Sequence, residues 1–294
     1  MPFPGIVPAV LAPFTADDSI DVPALRSNVE FLLQHGVHGF VVNGTMGEAA
    51  SLSDDERALV LETVLDVAGH RVPVLAGVSA PATATACAYA TAAREAGAAG
   101  VMCLPPLHFL GTIEELVTFF GAVADAAQLP VMAYNNPAAS GVDLMPDALG
   151  AIAAEVPGIV SVKECSGDAR RIAALLEATE LEVLVGGDDW ALEGFAAGAE
   201  GWVSGVANVA PAECVALQDH VAAGRLAEAR DVYKRILPLG RLDMTPWLVQ
   251  YFKGAMDAVG LRGGPVRPPR LPLDETGQEV LREAVNALQD PVIA

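Results

Sequence analysis

Lysine occurs at only three positions of the 294-residue chain, 163, 234 and 253, and Lys163 is the one placed to do chemistry. It closes the run Ile159-Val160-Ser161-Val162-Lys163-Glu164, which is short, mostly apolar and bounded by Gly158 and Gly167. Such a run reads as a buried strand. Burial disfavours the charged form of an amine, lowers its pKa and frees a nucleophile near neutral pH. The competing reading is a strand-end lysine whose head reaches water along an apolar stem. Lys234 and Lys253 lie in helical stretches and read as solvated.

Three other segments carry groups that could act with such an amine. Gly44-Thr45-Met46-Gly47-Glu48 can aim backbone N–H groups and the Thr45 hydroxyl at an anion such as a carboxylate. An ordinary tight turn is the alternative. Tyr134 ends an apolar run before Asn135-Asn136-Pro137, and a phenol beside an amine can shuttle protons during imine formation. A core tyrosine with a backbone partner is its plain reading. Gly186-Gly187-Asp188-Asp189 offers two carboxylates, read as loop supports rather than an acid/base pair. Glu48 and Glu164 read as structural, and Cys165 as a packing residue. The five histidines show no metal-ligand spacing, so no metal is expected. His108 follows the fourth apolar run and is a candidate to face a pocket.

Positioning these groups requires a repeated strand–helix frame. β-rich runs fall at 6–11, 39–42, 72–78, 100–104, 130–134, 159–163, 181–185 and 201–206. Helical periodicity occupies 22–34, 54–67, 83–96, 113–127 and 169–178. Ser53 with Glu56 forms a capping box, and Gly36, Gly69 and Gly97 stand just past helix ends. Eight such units predict an α/β chain folded as a (β/α)8 TIM barrel, with catalytic groups at the C-terminal strand ends. A doubly wound sheet is the rival, but no G-x-G-x-x-G turn follows the first strand. Past residue 211 the strands stop, and helices are expected over 212–223, 226–239, 247–259 and 274–288. The division expected is a barrel over 1–224 and a C-terminal helical region over 225–294, with 262–270 as a Pro/Gly linker.

Composition narrows the function classes. Hydrophobic residues make up 52% of the chain, enough for a large core, and the formal charge is -20. That charge argues against a nucleic-acid partner and against an anionic membrane surface. No apolar run approaches the roughly 18–20 residues of a membrane span. Cys87, Cys103, Cys165 and Cys214 form no C-x-x-C pair and read as reduced thiols. With no basic, apolar leader in Met1–Gly5, a cytoplasmic location is expected.

Gly-Thr-x-Gly-Glu at 44–48, Tyr-Asn-x-Pro at 134–137 and Val-Lys-Glu at 162–164 fall in order on the second, fifth and sixth strands. Together with Gly187-Asp188-Asp189 and 201–208 they resemble the dihydrodipicolinate synthase/N-acetylneuraminate lyase family, over about Gly5 to Gly260. The resemblance implies a barrel lyase, usually a tetramer or dimer, that needs no cofactor. It implies that Lys163 forms an imine with the 2-oxo carbon of a small substrate and that Tyr134 relays protons. It also implies that Gly44, Thr45 and Met46 hold the substrate carboxylate, and that Gly187, Val203 and Gly205 line the pocket.

The sequence departs from the namesake synthase in three places. Met46 replaces a second threonine, Leu107 stands where a tyrosine from a neighbouring subunit is expected, and Ala138-Ala139-Ser140 lacks an expected arginine. An unpaired carboxylate in a dry pocket is costly, so a substrate with a second carboxylate is disfavoured. The same apolar positions do not suit a polyol such as sialic acid. The pattern is similar to the hydroxyproline-catabolism branch, 1-pyrroline-4-hydroxy-2-carboxylate deaminase. The alternatives are a 4-hydroxy-tetrahydrodipicolinate synthase, a pyruvate aldolase, a sugar-acid dehydratase, or a lapsed barrel serving as ligand sensor or scaffold. A phosphate-binding barrel fits poorly, because two aspartates follow Gly186-Gly187.

Overall fold

Asp21, Ser53 and Thr112 show how the chain starts its helices. Each side chain accepts a hydrogen bond from a backbone N–H of the first helical turn, and Ser53 and Thr112 complete capping boxes with Glu56 and Glu115. Gly36, Gly69 and Gly97, past three helix ends, take positive φ of 79°, 57° and 90°. These signals punctuate a computed structural model that describes residues 3–107 and 109–289.

The strands are β1 (Gly5–Pro8), β2 (Phe40–Val42), β3 (Val74–Gly77), β4 (Gly100–Cys103), β5 (Val131–Asn135), β6 (Ile159–Glu164), β7 (Glu182–Val185) and β8 (Gly201–Ser204). All pair in parallel, in the order β1-β8-β7-β6-β5-β4-β3-β2. A bridge from Ala9 to Val41 and the Val10 N–H to Val41 carbonyl bond (2.9 Å) close the ring between β1 and β2. The result is the (β/α)8 TIM barrel that the pattern predicts. Every strand position except Val160 is buried, because barrel interior and helical shell cover the two faces.

The helices are α1 (Val22–Gln34), α2 (Asp54–Ala68), α3 (Thr83–Ala96), α4 (Ile113–Ala127), α5 (Pro137–Ser140), α6 (Pro146–Glu155), α7 (Arg170–Ala178), α8 (Ala191–Ala196), α9 (Pro211–Ala222), α10 (Leu226–Gly240), α11 (Leu248–Ala258) and α12 (Glu275–Gln289). Of these, α5 and α8 are too short to show a helical period, and α6 offers only Leu149 and Ile152 as large apolar positions; none was legible as a distinct helix. After the barrel, α10 packs on α9 and α12, and α11 packs on α12. No helix among the described residues is long and apolar enough to cross a membrane.

Two expectations for the C-terminal region need correction. Lys253 is not solvated: it is 1% exposed, and its ammonium lies 2.6 Å from Glu48 Oε1 and donates to the Pro265 carbonyl at 2.7 Å. The segment 262–270 is not a free linker. Arg267 is buried, donating to Asp18 Oδ1 (3.0 Å), the Ser51 carbonyl (2.8 Å) and Glu56, while Arg270 reaches Glu48 at 3.3 Å. The acidic partners come from the β1–α1 loop, the β2–α2 loop and α2, so the strap ties the C-terminal region to the barrel rim.

Candidate active site

The C-terminal ends of the strands converge on a cavity of about 400 Å3. Gly44, Thr45 and Met46 line it from the turn after β2, Tyr134 from β5 and Lys163 from β6. Val203 and Gly205 line it from β8. Seven of the eight residues singled out in the sequence therefore share one cavity. Gly187 does not: its neighbour Gly186 occupies the wall, and Gly187 packs against the Trp190 indole. A groove of about 510 Å3 lies outside the barrel between α2 and α3, floored largely by alanines, and holds none of these residues.

Lys163 and Tyr134 are neighbours by register. β5 and β6 pair Tyr134 with Lys163 and Asn135 with Glu164, so each pair projects to the same side. The Lys163 ammonium stands 4.3 Å from the centroid of the Tyr134 ring. Asn136 Nδ2 donates to Tyr134 Oη at 2.9 Å, which leaves the phenolic proton for another acceptor. Cys165, expected only to pack, lines the cavity, with its thiol 4.0 Å from Tyr134 Oη.

The electrostatics differ from the expectation of an amine neutralised by burial. Burial opposes charge on Lys163, and Tyr134, Cys165 and Asp243 act against it, in the direction of a raised pKa. Burial pushes the Tyr134 phenol up to about 12 and the Cys165 thiol likewise to about 12. Both are therefore neutral near pH 7, where Asp243 is the anion that stabilises the Lys163 ammonium. Burial raises the Asp243 carboxyl to about 6, against the opposing pull of Lys163.

Close packing holds this constellation. A Cβ on Gly186 would strike Cys165 Sγ and stand 2.9 Å from Lys163 Cε, so only glycine leaves room for the lysine stem. On the far side of β6, Asn135 Nδ2 donates to Glu164 (2.9 Å) and Asp143 (3.1 Å), and Arg171 makes two 3.0 Å bonds to Asp143. Glu164 thus serves the frame, as the sequence suggested. Asp188 does the same for β8. Its carboxylate accepts from Trp202 Nε1 (2.9 Å), Ser204 Oγ (3.1 Å) and the N–H groups of Gly205 (3.1 Å) and Val206 (2.8 Å). That fixes the turn in which Gly205 faces Met46; a Cβ there would lie 2.5 Å from Met46 Cε. Met46 is buried, whereas Thr45 stands exposed at the mouth.

Asp243, with Met244, Thr245 and Pro246, closes the cavity from the α10–α11 connection, beside Leu248 at the start of α11. Sequence reasoning missed these residues. The stretch looks like any helix–helix turn, and no local signal says that it reaches the strand ends. Lys163 is the only cation lining the cavity among the described residues; Ala138 and Ala139 stand in its wall. His108 lies outside the described residues. No group of three or more potential metal ligands occurs among the described residues.

Comparison with known proteins agrees with this geometry. The dihydrodipicolinate synthetase family matches residues 2–288. The 4-hydroxy-tetrahydrodipicolinate synthase of Methanoculleus marisnigri is 37% identical over 291 residues, covering 96% of this chain and 98% of the relative. A solved structure of a putative dihydrodipicolinate synthetase from Pseudomonas aeruginosa superimposes with a TM-score of 0.92 at 35% identity, over 97% of this chain and 99% of that one. YagE, a prophage protein of the dihydrodipicolinic acid synthase family from E. coli K12 solved in complex with pyruvate, gives 0.92 at 28% identity, over 98% and 99%.

Proposed function

From membership of the dihydrodipicolinate synthetase family, to which the chain belongs, we propose a lyase that works through an imine on Lys163 and acts on a small 2-oxo acid or cyclic imino acid. The specific reading is 1-pyrroline-4-hydroxy-2-carboxylate deaminase. Thr45 and the backbone at Met46 hold the single carboxylate, Lys163 is the nucleophile and Tyr134 relays protons.

One observation carries this choice: among the described residues, the cavity wall contains Lys163 and no second cation. A substrate with one carboxylate needs no further clamp, whereas a second carboxylate would be buried without a partner. An ammonium at Lys163, the form that Asp243 favours, suits a cyclic imine. Proton transfer from the ammonium to the ring nitrogen makes an iminium electrophile and a neutral amine in one step. The amine adds at C2, and the C2–N ring bond breaks to leave a lysine-bound imine. Loss of a C3 proton and of the 4-hydroxyl as water, relayed by Tyr134, gives an unsaturated amine that tautomerises to an imine at C5. Two waters then release ammonia and 2-oxoglutarate semialdehyde and free Lys163, so one water is consumed overall.

A second reading is a 4-hydroxy-tetrahydrodipicolinate synthase, favoured by the name of the M. marisnigri relative. The deciding experiment is borohydride reduction with a panel of 2-oxo acids and with 1-pyrroline-4-hydroxy-2-carboxylate, followed by peptide mapping and turnover assays. An adduct on Lys163 together with ammonia release from the pyrroline supports the deaminase. Turnover of pyruvate with aspartate semialdehyde, and none of the pyrroline, replaces it with the synthase. No adduct with any compound on folded protein leaves the ligand-sensor reading.

A further inference from the structure

We propose that Asp243 determines substrate specificity: it accepts a hydrogen bond from a hydroxyl or other donor at the distal end of the bound 2-oxo or 2-imino acid and repels a second carboxylate. The proposal rests on the Lys163 imine described above and deepens it.

Three observations place Asp243 in that role. It lines the cavity that holds Lys163 and Tyr134, across from the C-terminal strand ends, although it belongs to the α10–α11 connection. One of its oxygens faces the Asp188 N–H at 3.5 Å, a long bond that leaves most of the carboxylate's accepting capacity unused. The groups around it offer a second anion no compensation. Asp188 spends its own carboxylate on β8, and the Arg241 charge acts on Asp189 while Arg241 stays out of the cavity wall. The cavity's one ammonium, Lys163, is committed to the reacting carbon and is not free to pair with a distal carboxylate. A ligand end that reaches Asp243 therefore meets an acceptor in a confined space, where like charges repel strongly and a donor gains a charge-assisted bond.

The test compares imine trapping on Lys163 by borohydride for three probes: 2-oxobutanoate, 4-hydroxy-2-oxobutanoate and 2-oxoglutarate. In the wild type the hydroxy acid is expected to trap roughly tenfold or more faster than 2-oxoglutarate. Asp243→Asn should narrow that ratio by roughly tenfold, with 2-oxobutanoate, which carries neither group, reporting any change in Lys163 reactivity common to all three probes. Asp243→Glu should keep the discrimination. A ratio unchanged in Asp243→Asn, or equal loss with all three probes, overturns the proposal and makes Asp243 a support for the Asp188 loop. No adduct with any probe in the wild type removes the imine reading and this proposal with it; adducts with an unaltered ratio remove this proposal alone.

Discussion

Tyr134 and Lys163 are register partners on adjacent parallel strands, and the lysine ammonium lies 4.3 Å from the centroid of the tyrosine ring. Both side chains are buried, 5% and 6% exposed, so a proton moved by one is felt by the other with little screening by water.

Replacing Tyr134 by Phe keeps the ring and removes the hydroxyl proposed to relay protons. The expected result is a fall in kcat of about 10²–10⁴-fold with a smaller change in KM. Lys163→Met should abolish the borohydride adduct altogether. A Tyr134→Phe variant with unaltered kcat would take the phenol out of the proton path.

Gly186→Ala tests the space reserved for the lysine stem. The added methyl meets Cys165 Sγ and lies 2.8 Å from the Glu164 carbonyl and 2.9 Å from Lys163 Cε, so the end of β6 that carries Lys163 must shift. A misplaced reacting atom costs about 10²-fold, and the loss should appear in kcat and in the rate of imine trapping. Circular dichroism should show an intact fold. Wild-type trapping in this variant would mean that the stem has slack.

The Glu48–Lys253 pair lies almost wholly out of water, with side chains 0% and 2% exposed. Removing Lys253 leaves Glu48 Oε1 without its cation, although Arg270 and the Arg267 N–H still reach Oε2, so Lys253→Met should cost about 3 kcal/mol in urea unfolding. The double replacement Glu48→Leu with Lys253→Met should recover only part of that loss, because Arg270 and the Arg267 N–H then lose their acceptor. A single variant as stable as the wild type would show that water reaches the site.

Acid should loosen the C-terminal strap before it unfolds the barrel. The hydrogen bond from Arg267 holds the Glu56 carboxyl down at about 2, against a slight rise from burial. Its folded pKa is depressed, so its stabilisation is present above the ordinary glutamate range near 4.5 and is lost as pH falls towards 2. Glu56→Gln should therefore lower stability at pH 7 by on the order of 2 kcal/mol, allowing for solvent screening at its open side. The difference from wild type should shrink as pH falls through that window. A pH-independent difference in melting temperature would assign the loss to packing rather than to charge.

The reach of the sequence and its limit have one physical origin. Strand and helix identity depends on residues within a few positions of one another. The apolar run ending at Lys163, the run ending at Tyr134, and the Ser53/Glu56 box were therefore all legible, and with them the barrel and the side of it on which these groups meet. Parallel pairing in a closed ring does the rest, because it brings the ends of β2, β5, β6 and β8 to one rim whatever lies between them. The burial of Lys253 was not legible. Its helix reads as half-polar until Glu48, from the opposite end of the chain, is seen to neutralise it. Asp243 was invisible for the same reason: a polar turn between two helices carries no mark of the cavity it will enter. Burial alone argues for a free amine at Lys163, and the sequence does not show that Asp243 pulls the other way. Only the tertiary structure supplied the neighbours that hold its proton, because a pKa is set by charges close in space and indifferent to their distance along the chain.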